Sequence, residues 1–229
     1  MGKETAKTSK EVKSSNKYVG MLLDNLNNLK GYLLKPLESV KAKETEDIKS
    51  VAITGGFLVV LMTLVNLIMT MINSVITYDW TGKFDGFDFG NLGDLNYLSL
   101  IFKNLLIYAV VMLAIAGVFY IGALIVKKEV NYAKLLTIVF IAAIPLTIGN
   151  TVVATILGYI YNPLAVIASV ATSIYSITIF AKLVNDEVKL SDMTLIYYNA
   201  ACYSVIILVV YFIVVRMITS AVTGIFGGF

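Results

Sequence analysis

The stretch that decides the fold is Leu135–Ala181, which reads LLTIVFIAAIPLTIGNTVVATILGYI, then YNP, then LAVIASVATSIYSITIFA. The two long segments, Leu135–Ile160 and Leu164–Ala181, contain no charged residue. Each is close to or longer than the roughly 20 apolar residues that a helix needs to cross about 30 Å of hydrocarbon. The YNP tripeptide between them has a turn composition. The stretch therefore predicts two antiparallel transmembrane helices joined as a hairpin.

The composition of the whole chain agrees with a membrane location. Of its 229 residues, 58% are hydrophobic and 14% are charged, against roughly 25% charged in an ordinary soluble domain. So few charges cannot cover a globule of this size, so apolar surface must face lipid. The chain has no histidine and one cysteine, Cys202, which excludes an intrachain disulfide and a Cys/His zinc site. We predict no metal, no cofactor and no nucleic-acid partner.

Three further hydrophobic runs complete the predicted bundle. The five spans run from about residue 51 to 77, 98 to 126, 135 to 160, 164 to 181 and 194 to 218. We predict an all-α, polytopic transmembrane helical bundle over residues 50–223, followed by a short tail, 224–229. The loop Tyr78–Tyr97 contains four glycines, which predict irregular structure at the water boundary.

The N-terminal region divides into two parts. Residues 1–16 are rich in Lys, Glu, Ser and Thr and predict a disordered cytoplasmic tail. Residues 17–49 predict a cytoplasmic helix and a charged connector, and Pro36 is expected to end or kink the helix. Leucines at spacings of three and four residues line one face of this helix: Leu22, Leu26, Leu29, Leu33 and Leu37. This pattern predicts an amphipathic, interfacial helix that lies on membrane lipid or against the bundle.

The distribution of basic residues predicts the orientation. Ten lysines precede the first span, three follow the second span and two follow the fourth. Fifteen of the eighteen basic residues therefore lie inside if the N-terminus is cytoplasmic, whereas the loop after the first span carries four aspartates. The positive-inside rule predicts a cytoplasmic N-terminus and, with five spans, an extracytoplasmic C-terminus.

Side-chain amides are the most distinctive polar groups within the predicted spans. An amide in hydrocarbon needs a partner, and a hydrogen bond to another helix provides one. Two interpretations stay open, namely contacts that hold the bundle together and a polar path for a substrate. The amides belong to Asn66, Asn73, Asn104, Asn150 and Asn199.

The third span contains the best candidate for a hinge or a small polar pocket. Pro145 removes a backbone donor and predicts a kink, and Gly149 and Asn150 follow one turn later. A purely structural kink is the alternative. The segment Asp85–Gly90, DGFDFG, invites a calcium interpretation, but its spacing does not match an EF-hand loop, so a solvated acidic loop is favoured.

Three segments carry a family resemblance: Leu34–Val40, LKPLESV; Ala142–Leu146, AAIPL; and the turn at Asn162-Pro163. Together with the five spans, they resemble the YIP family, the Ypt/Rab-interacting-protein class, over roughly residues 18–220. The chain departs from many bacterial relatives, which carry an N-terminal zinc ribbon, because no cysteine precedes Cys202. The resemblance implies an accessory subunit beside an ABC-type exporter. The Lys-, Asn- and Tyr-rich usage indicates a low-GC bacterial source, and in a bacterium we expect a multi-pass protein of the cell membrane.

Function is predicted mainly from what the spans lack. No arrangement of residues for catalysis stands out, and almost no ionisable side chain lies within a span, which weakens the case for a proton-coupled transporter. We predict that the protein is not an enzyme but a membrane scaffold or an accessory subunit that binds other membrane proteins, such as ABC exporter subunits. The alternative is a small transporter or channel subunit whose kinked third helix forms the path. The oligomeric state stays open.

Overall fold

The long apolar runs form helices because a backbone in hydrocarbon must satisfy its own hydrogen bonds. The computed structural model describes residues 19–41, 47–78 and 84–226, with side chains as far as Phe212 and without that of Tyr78. In this part of the chain, five helices are long and apolar enough to cross a membrane. The predicted all-α polytopic bundle is confirmed. The predicted tail 1–16, residues 42–46 of the connector and residues 227–229 lie outside the described residues.

Three short helices precede the spans: α1 (residues 19–27), α2 (Leu29–Leu34) and α3 (Pro36–Lys41). The spans are α4 (Ile48–Val75), α5 (Tyr97–Ile125), α6 (Tyr132–Ile148) with its continuation α7 (Ala154–Ile160), α8 (Asn162–Val188) and α9 (Asp192–Phe226). Helices α6 and α7 together form one span, so α4 to α8 make four spans. The shortest of these, α8, has 27 residues and is roughly 40 Å long at 1.5 Å per residue. Each span therefore exceeds the hydrocarbon thickness. Helix α9 continues beyond the predicted end at residue 218.

Side-chain caps set the starts of three spans. Asp47, Asn96 and Asn131 each accept a hydrogen bond, at 2.9 to 3.0 Å, from a main-chain N–H two or three residues further along. These bonds satisfy donors that the first helical turn leaves without a partner. Helix α8 ends where Lys189 adopts a left-handed conformation with φ of 51°, a common helix stop.

Helix α6 is the centre of the bundle. Every residue from Leu135 to Pro145 is buried, and 67% of the most apolar window of this span is buried, against 11% for α9. Helices α4, α5 and α8 pack around α6. Gly55 lets α4 approach closely, because a Cβ there would collide with the ring of Phe140 on α6. The hydrophobic core therefore follows α6.

The tight connection predicted from the YNP tripeptide joins α7 to α8. Helix α7 ends at Ile160, Tyr161 is extended with φ of −162°, and α8 begins at Asn162. Pro163 is accommodated in the first turn of α8, where a missing N–H costs nothing. Helices α7 and α8 then pack side by side.

The loop after α4 is more regular than predicted. Strand β1 (Ile76–Tyr78) pairs antiparallel with β2 (Phe84–Phe87), and a 3₁₀ turn follows at Phe89–Leu92. The prediction of irregular structure is wrong for these residues, because aromatic and β-branched side chains favour strands. Gly86 does not interrupt β2. It pairs with Thr77 where the register of the two strands shifts, and its φ of 140° is one that glycine adopts readily.

The single amphipathic helix predicted near the N-terminus is not confirmed. The structure has breaks at Asn28 and Lys35, which separate α1, α2 and α3. Two leucines of the predicted apolar face, Leu22 and Leu26, are 41% and 53% exposed. The other three, Leu29, Leu33 and Leu37, are half-buried against the core. The buried face instead comprises Asn25, Tyr32, Pro36 and Val40, and helices α2 and α3 pack against α6.

The two ends of the bundle differ in chemistry. At one end, called the basic end, α3 packs against α6 and α8 and lines a cavity with the α5–α6 loop. Lys128 Nζ donates to the carbonyl of Lys189 at 3.0 Å, and Lys134 Nζ donates to the carbonyl of Val40 at 3.4 Å. The other end, the hairpin end, carries β1, β2 and the α7–α8 turn.

Candidate functional site

The predicted hinge lies where the backbone hydrogen bonds of the third span change from an α-helical to a π-helical pattern. Pro145 is buried inside α6 and has no N–H to donate to the preceding turn. One turn later, Gly149–Val153 forms a π-helical turn, in which the N–H of Ala154 donates to the carbonyl of Gly149. The π-turn separates α6 from α7. Single π-turns of this kind are frequent at functional sites.

Helix α8 packs directly against this irregular part of the span. A Cβ on Gly149 would collide with Thr172, and Thr172 Oγ1 donates to Asn150 Oδ1 at 3.1 Å. Ser176 Oγ donates to the carbonyl of Ala142. The structure therefore brings Gly149 and Asn150 against α8, whereas Pro145 is buried one turn earlier. The role of the three residues as a hinge or pocket stays a prediction.

Three of the other predicted amides also lie between helices. Asn66 Nδ2 donates to Tyr108 Oη at 3.3 Å, which links α4 to α5. Asn73 accepts from the Tyr159 hydroxyl, which links α4 to α7. Asn199 Nδ2 donates to Asn185 Oδ1 at 3.0 Å, which links α9 to α8.

The fourth of these amides differs. Asn104 is half-buried and makes no side-chain hydrogen bond with the residues that the structure describes. The side-chain oxygen of Asn199, Oδ1, is buried and has no hydrogen-bond partner among the described residues. The amides are thus arranged as contacts between neighbouring helices more than as one continuous row, and a role in a substrate path stays a prediction.

Sequence reasoning missed a buried polar cluster near the N-terminus. Asn25 Nδ2 donates to Thr54 Oγ1 at 3.2 Å, and the Tyr32 hydroxyl donates to Asn25 Oδ1 at 2.6 Å. These three side chains, each at most 2% exposed, are called the N-terminal polar cluster. They attach α1 and α2 to α4. A usable signal was present, because Asn25 and Tyr32 are seven residues apart, which would place them on one face of a helix.

Helix α9 packs against the bundle near its start and is exposed over residues 207–212. Near the basic end, the Tyr198 hydroxyl donates to the carbonyl of Phe119 at 2.7 Å. Gly122 of α5 is so close to α9 that a Cβ there would lie 2.7 Å from Cys202 Sγ. The next part differs, because residues 207–212 are each 50–66% exposed. Six consecutive residues cover more than a full turn, so residues 207–212, called the exposed segment of α9, have open surface on every side.

Charged side chains in the described spans lie close to the helix ends. Lys103 is six residues into α5, and Lys182, Asp186 and Glu187 belong to the last two turns of α8. Within the part of the chain that the structure describes, no group of three or more His, Cys, Asp or Glu is placed to hold a metal ion. The side chain of Arg216 lies outside the described residues.

Comparison with protein-family models, with curated proteins and with solved structures finds no match to this chain. The resemblance to the YIP family therefore stays a prediction that rests on the residues quoted for it.

Proposed function

We propose that the protein is a non-enzymatic integral membrane scaffold or accessory subunit that binds another membrane protein through the exposed segment of α9. The single observation that carries this proposal is the exposure of all six residues from 207 to 212. Helices in lipid associate through packing and polar contacts, since lipid tails are as apolar as the side chains. A helix that leaves its own bundle can recover that packing against a helix from a partner.

The character of the exposed segment supports a protein partner. Its sequence, ILVVYF, has branched aliphatic side chains followed by two aromatic ones, Tyr211 and Phe212. The rings of these two residues lie 5.9 Å apart in an edge-to-face arrangement. Aromatic side chains supply large, stiff contact surfaces and are enriched in protein interfaces.

The absence of ionisable side chains from the middle of the described spans supports a structural role over proton-coupled transport. The YIP resemblance supports the class of partner, an ABC-type exporter in a bacterial cell membrane. The lysine distribution supports a cytoplasmic N-terminus and an extracytoplasmic C-terminus. All three are parts of the same proposal.

The alternative, a small transporter or channel subunit, has one observation in its favour. Pro145 and the π-turn at Gly149–Val153 interrupt a span near its middle, as in transporters that bind substrates at broken helices. The close packing of Gly149 against Thr172 favours the scaffold, because an open path would separate these helices.

The proposal is tested by photo-crosslinking in the native membrane. A photoreactive amino acid replaces Val209 in the exposed segment of α9, and matched variants carry it at Val166 of α8 and at Ile141 of α6. Val166 is 59% exposed, whereas Ile141 is fully buried. We expect position 209 to give one reproducible adduct with an integral membrane protein, position 166 to react with lipid, and position 141 to react within the chain.

Mass spectrometry of the adduct identifies the partner. An ABC exporter subunit would support the finer form of the proposal, and another membrane protein would support the scaffold role alone. Adducts with lipid only at position 209, equal to those at position 166, would contradict the proposal.

A further inference from the structure

A cavity opens at the basic end between α3, the α5–α6 loop and the end of α8. Its volume is about 830 Å³. Val40, Ile138, Leu183 and Val188 contribute buried apolar side chains to it. Around them lie four lysines and three carboxylates: Lys41, Lys128, Lys134 and Lys189 with Glu129, Asp186 and Glu187. This set of residues is called the basic-end cavity.

Hydrogen bonds hold two lysines of the cavity in place, but no described carboxylate forms an ion pair with a lysine of the cavity. Lys128 and Lys134 donate to main-chain carbonyls, at 3.0 and 3.4 Å. Among the described residues, one ion pair has its charged atoms within 4.0 Å of each other. It joins Lys35 to Glu38, which both lie outside the cavity. An ammonium group has three donors, so each of these lysines keeps two for a ligand. Both side chains are half-buried, which lessens screening by water.

The carboxylates of the cavity do not cancel the positive charge of its lysines. Glu129 and Asp186 are exposed, and Glu187 is half-buried, so water screens two of the three more strongly than it screens Lys128 and Lys134. Among the lining residues that the structure describes, four lysines face three carboxylates, which gives a balance of one positive unit. The cavity therefore favours an anion that accepts several hydrogen bonds at once.

We propose that the basic-end cavity binds a phosphate group, carried either by the headgroup of an anionic lipid or by a free phosphate. A phosphate offers several acceptor oxygens to the donors that Lys128 and Lys134 leave unused. Basic pockets between membrane helices on the cytoplasmic side suit anionic headgroups. The lysine distribution places this end on that side.

A bound phosphate would join parts of the chain that are far apart in sequence. Lys134, at the start of α6, is bonded to α3 through Val40. Lys128, in the α5–α6 loop, is bonded to the α8–α9 turn through Lys189. An anion held between the two ammonium groups fixes these bonds, so binding stabilises the contact of α3 with the bundle.

The test measures binding to the full chain in non-ionic detergent by calorimetry. The probes are dioctanoyl phosphatidylglycerol, dioctanoylglycerol and inorganic phosphate. We expect saturable binding of the phosphatidylglycerol, weakened roughly tenfold in the double variant Lys128→Gln, Lys134→Gln. The matched control Lys182→Gln removes a charge from an exposed position on α8 outside the cavity and should change the affinity less than about twofold. Glu129→Gln should tighten binding.

Each outcome separates the sources of the phosphate or rejects the site. Tighter binding of phosphatidylglycerol than of inorganic phosphate identifies a lipid headgroup, and equal binding identifies free phosphate. Equal binding of dioctanoylglycerol would overturn the proposal, because the lipid tails would then account for the affinity. So would an equal loss in Lys182→Gln and the double variant. If the double variant does not fold, unchanged or weaker binding by Glu129→Gln contradicts the site.

Discussion

Two adjacent glycines in α4 meet different surroundings, which gives a clear test at the scale of single residues. A Cβ on Gly55 would collide with the ring of Phe140, which is 6% exposed, whereas a Cβ on Gly56 would meet open space. We expect Gly55→Ala to lower the free energy of unfolding by about 1–3 kcal/mol, as overpacking does in other cores. Thermal unfolding of the full chain in detergent measures the change.

Gly56→Ala is the matched control. It adds the same methyl group one residue away, and the better helix propensity of alanine should leave stability unchanged or slightly raised. Equal unfolding temperatures for the two variants would show that α4 and α6 are not in close contact at Gly55.

These glycines also mark a limit of sequence reasoning. Gly55 and Gly56 are both small residues in an apolar run, and nothing in the run says which one faces Phe140. The answer depends on the rotation of α4 about its axis, which is set by contacts with α6 far along the chain. The positions of the amides were predictable, but their partners, such as Tyr108 for Asn66, were not.

At the scale of elements, the N-terminal polar cluster is expected to hold α1 and α2 against the bundle. Asn25→Ala removes the acceptor of the Tyr32 hydroxyl and the donor to Thr54. A buried polar group left without a partner costs about 1–3 kcal/mol. We expect faster hydrogen exchange of the amides of residues 29–41 in this variant, measured by mass spectrometry on the full chain.

Asn28→Ala provides the comparison, because Asn28 is exposed at the turn between α1 and α2. Its exchange in residues 29–41 should stay close to that of the unchanged chain. If both variants exchange at the rate of the unchanged chain, the cluster does not hold the segment.

The same segment shows why element type was easier to predict than its packing. The spacing of the leucines correctly indicated helix, and Pro36 correctly indicated a break, since α2 ends at Leu34 and α3 begins at Pro36. The face that packs most deeply against the bundle was not predictable, because hydrophobicity alone ranks leucine above asparagine. A chain of satisfied hydrogen bonds removes the usual cost of burying Asn25.

At the scale of the whole molecule, the orientation can be tested with single cysteines in a Cys202→Ser background. Glu129 lies at the basic end, and Asp94 lies near the hairpin end; both are exposed. We expect a membrane-impermeant maleimide to label Asp94→Cys in intact cells and Glu129→Cys only after permeabilisation, because the positive-inside rule predicts a cytoplasmic basic end. The reverse pattern would contradict the orientation.

The architecture was predictable only up to the number of apolar helices and the tight turn between two of them. Five apolar runs and one short turn were enough to predict a five-span bundle with α7 and α8 as a hairpin. The central place of α6 was not predictable, since its apolar run resembles those of its neighbours. Burial depends on which helices surround it, and that information lies in pairs such as Gly55 with Phe140 and Gly149 with Thr172.

The contact between Ser176 and Ala142 also has a meaning for the order of synthesis. The two residues are 34 positions apart, and a ribosome adds about 5–20 residues per second. Ala142 of α6 therefore leaves the ribosome some seconds before Ser176, the residue of α8 that covers it. During that interval Ala142 and the surface around Gly149 meet lipid or the insertion machinery. Helix α6, the centre of the finished bundle, thus gains its contact with α8 only after its own residues have left the ribosome.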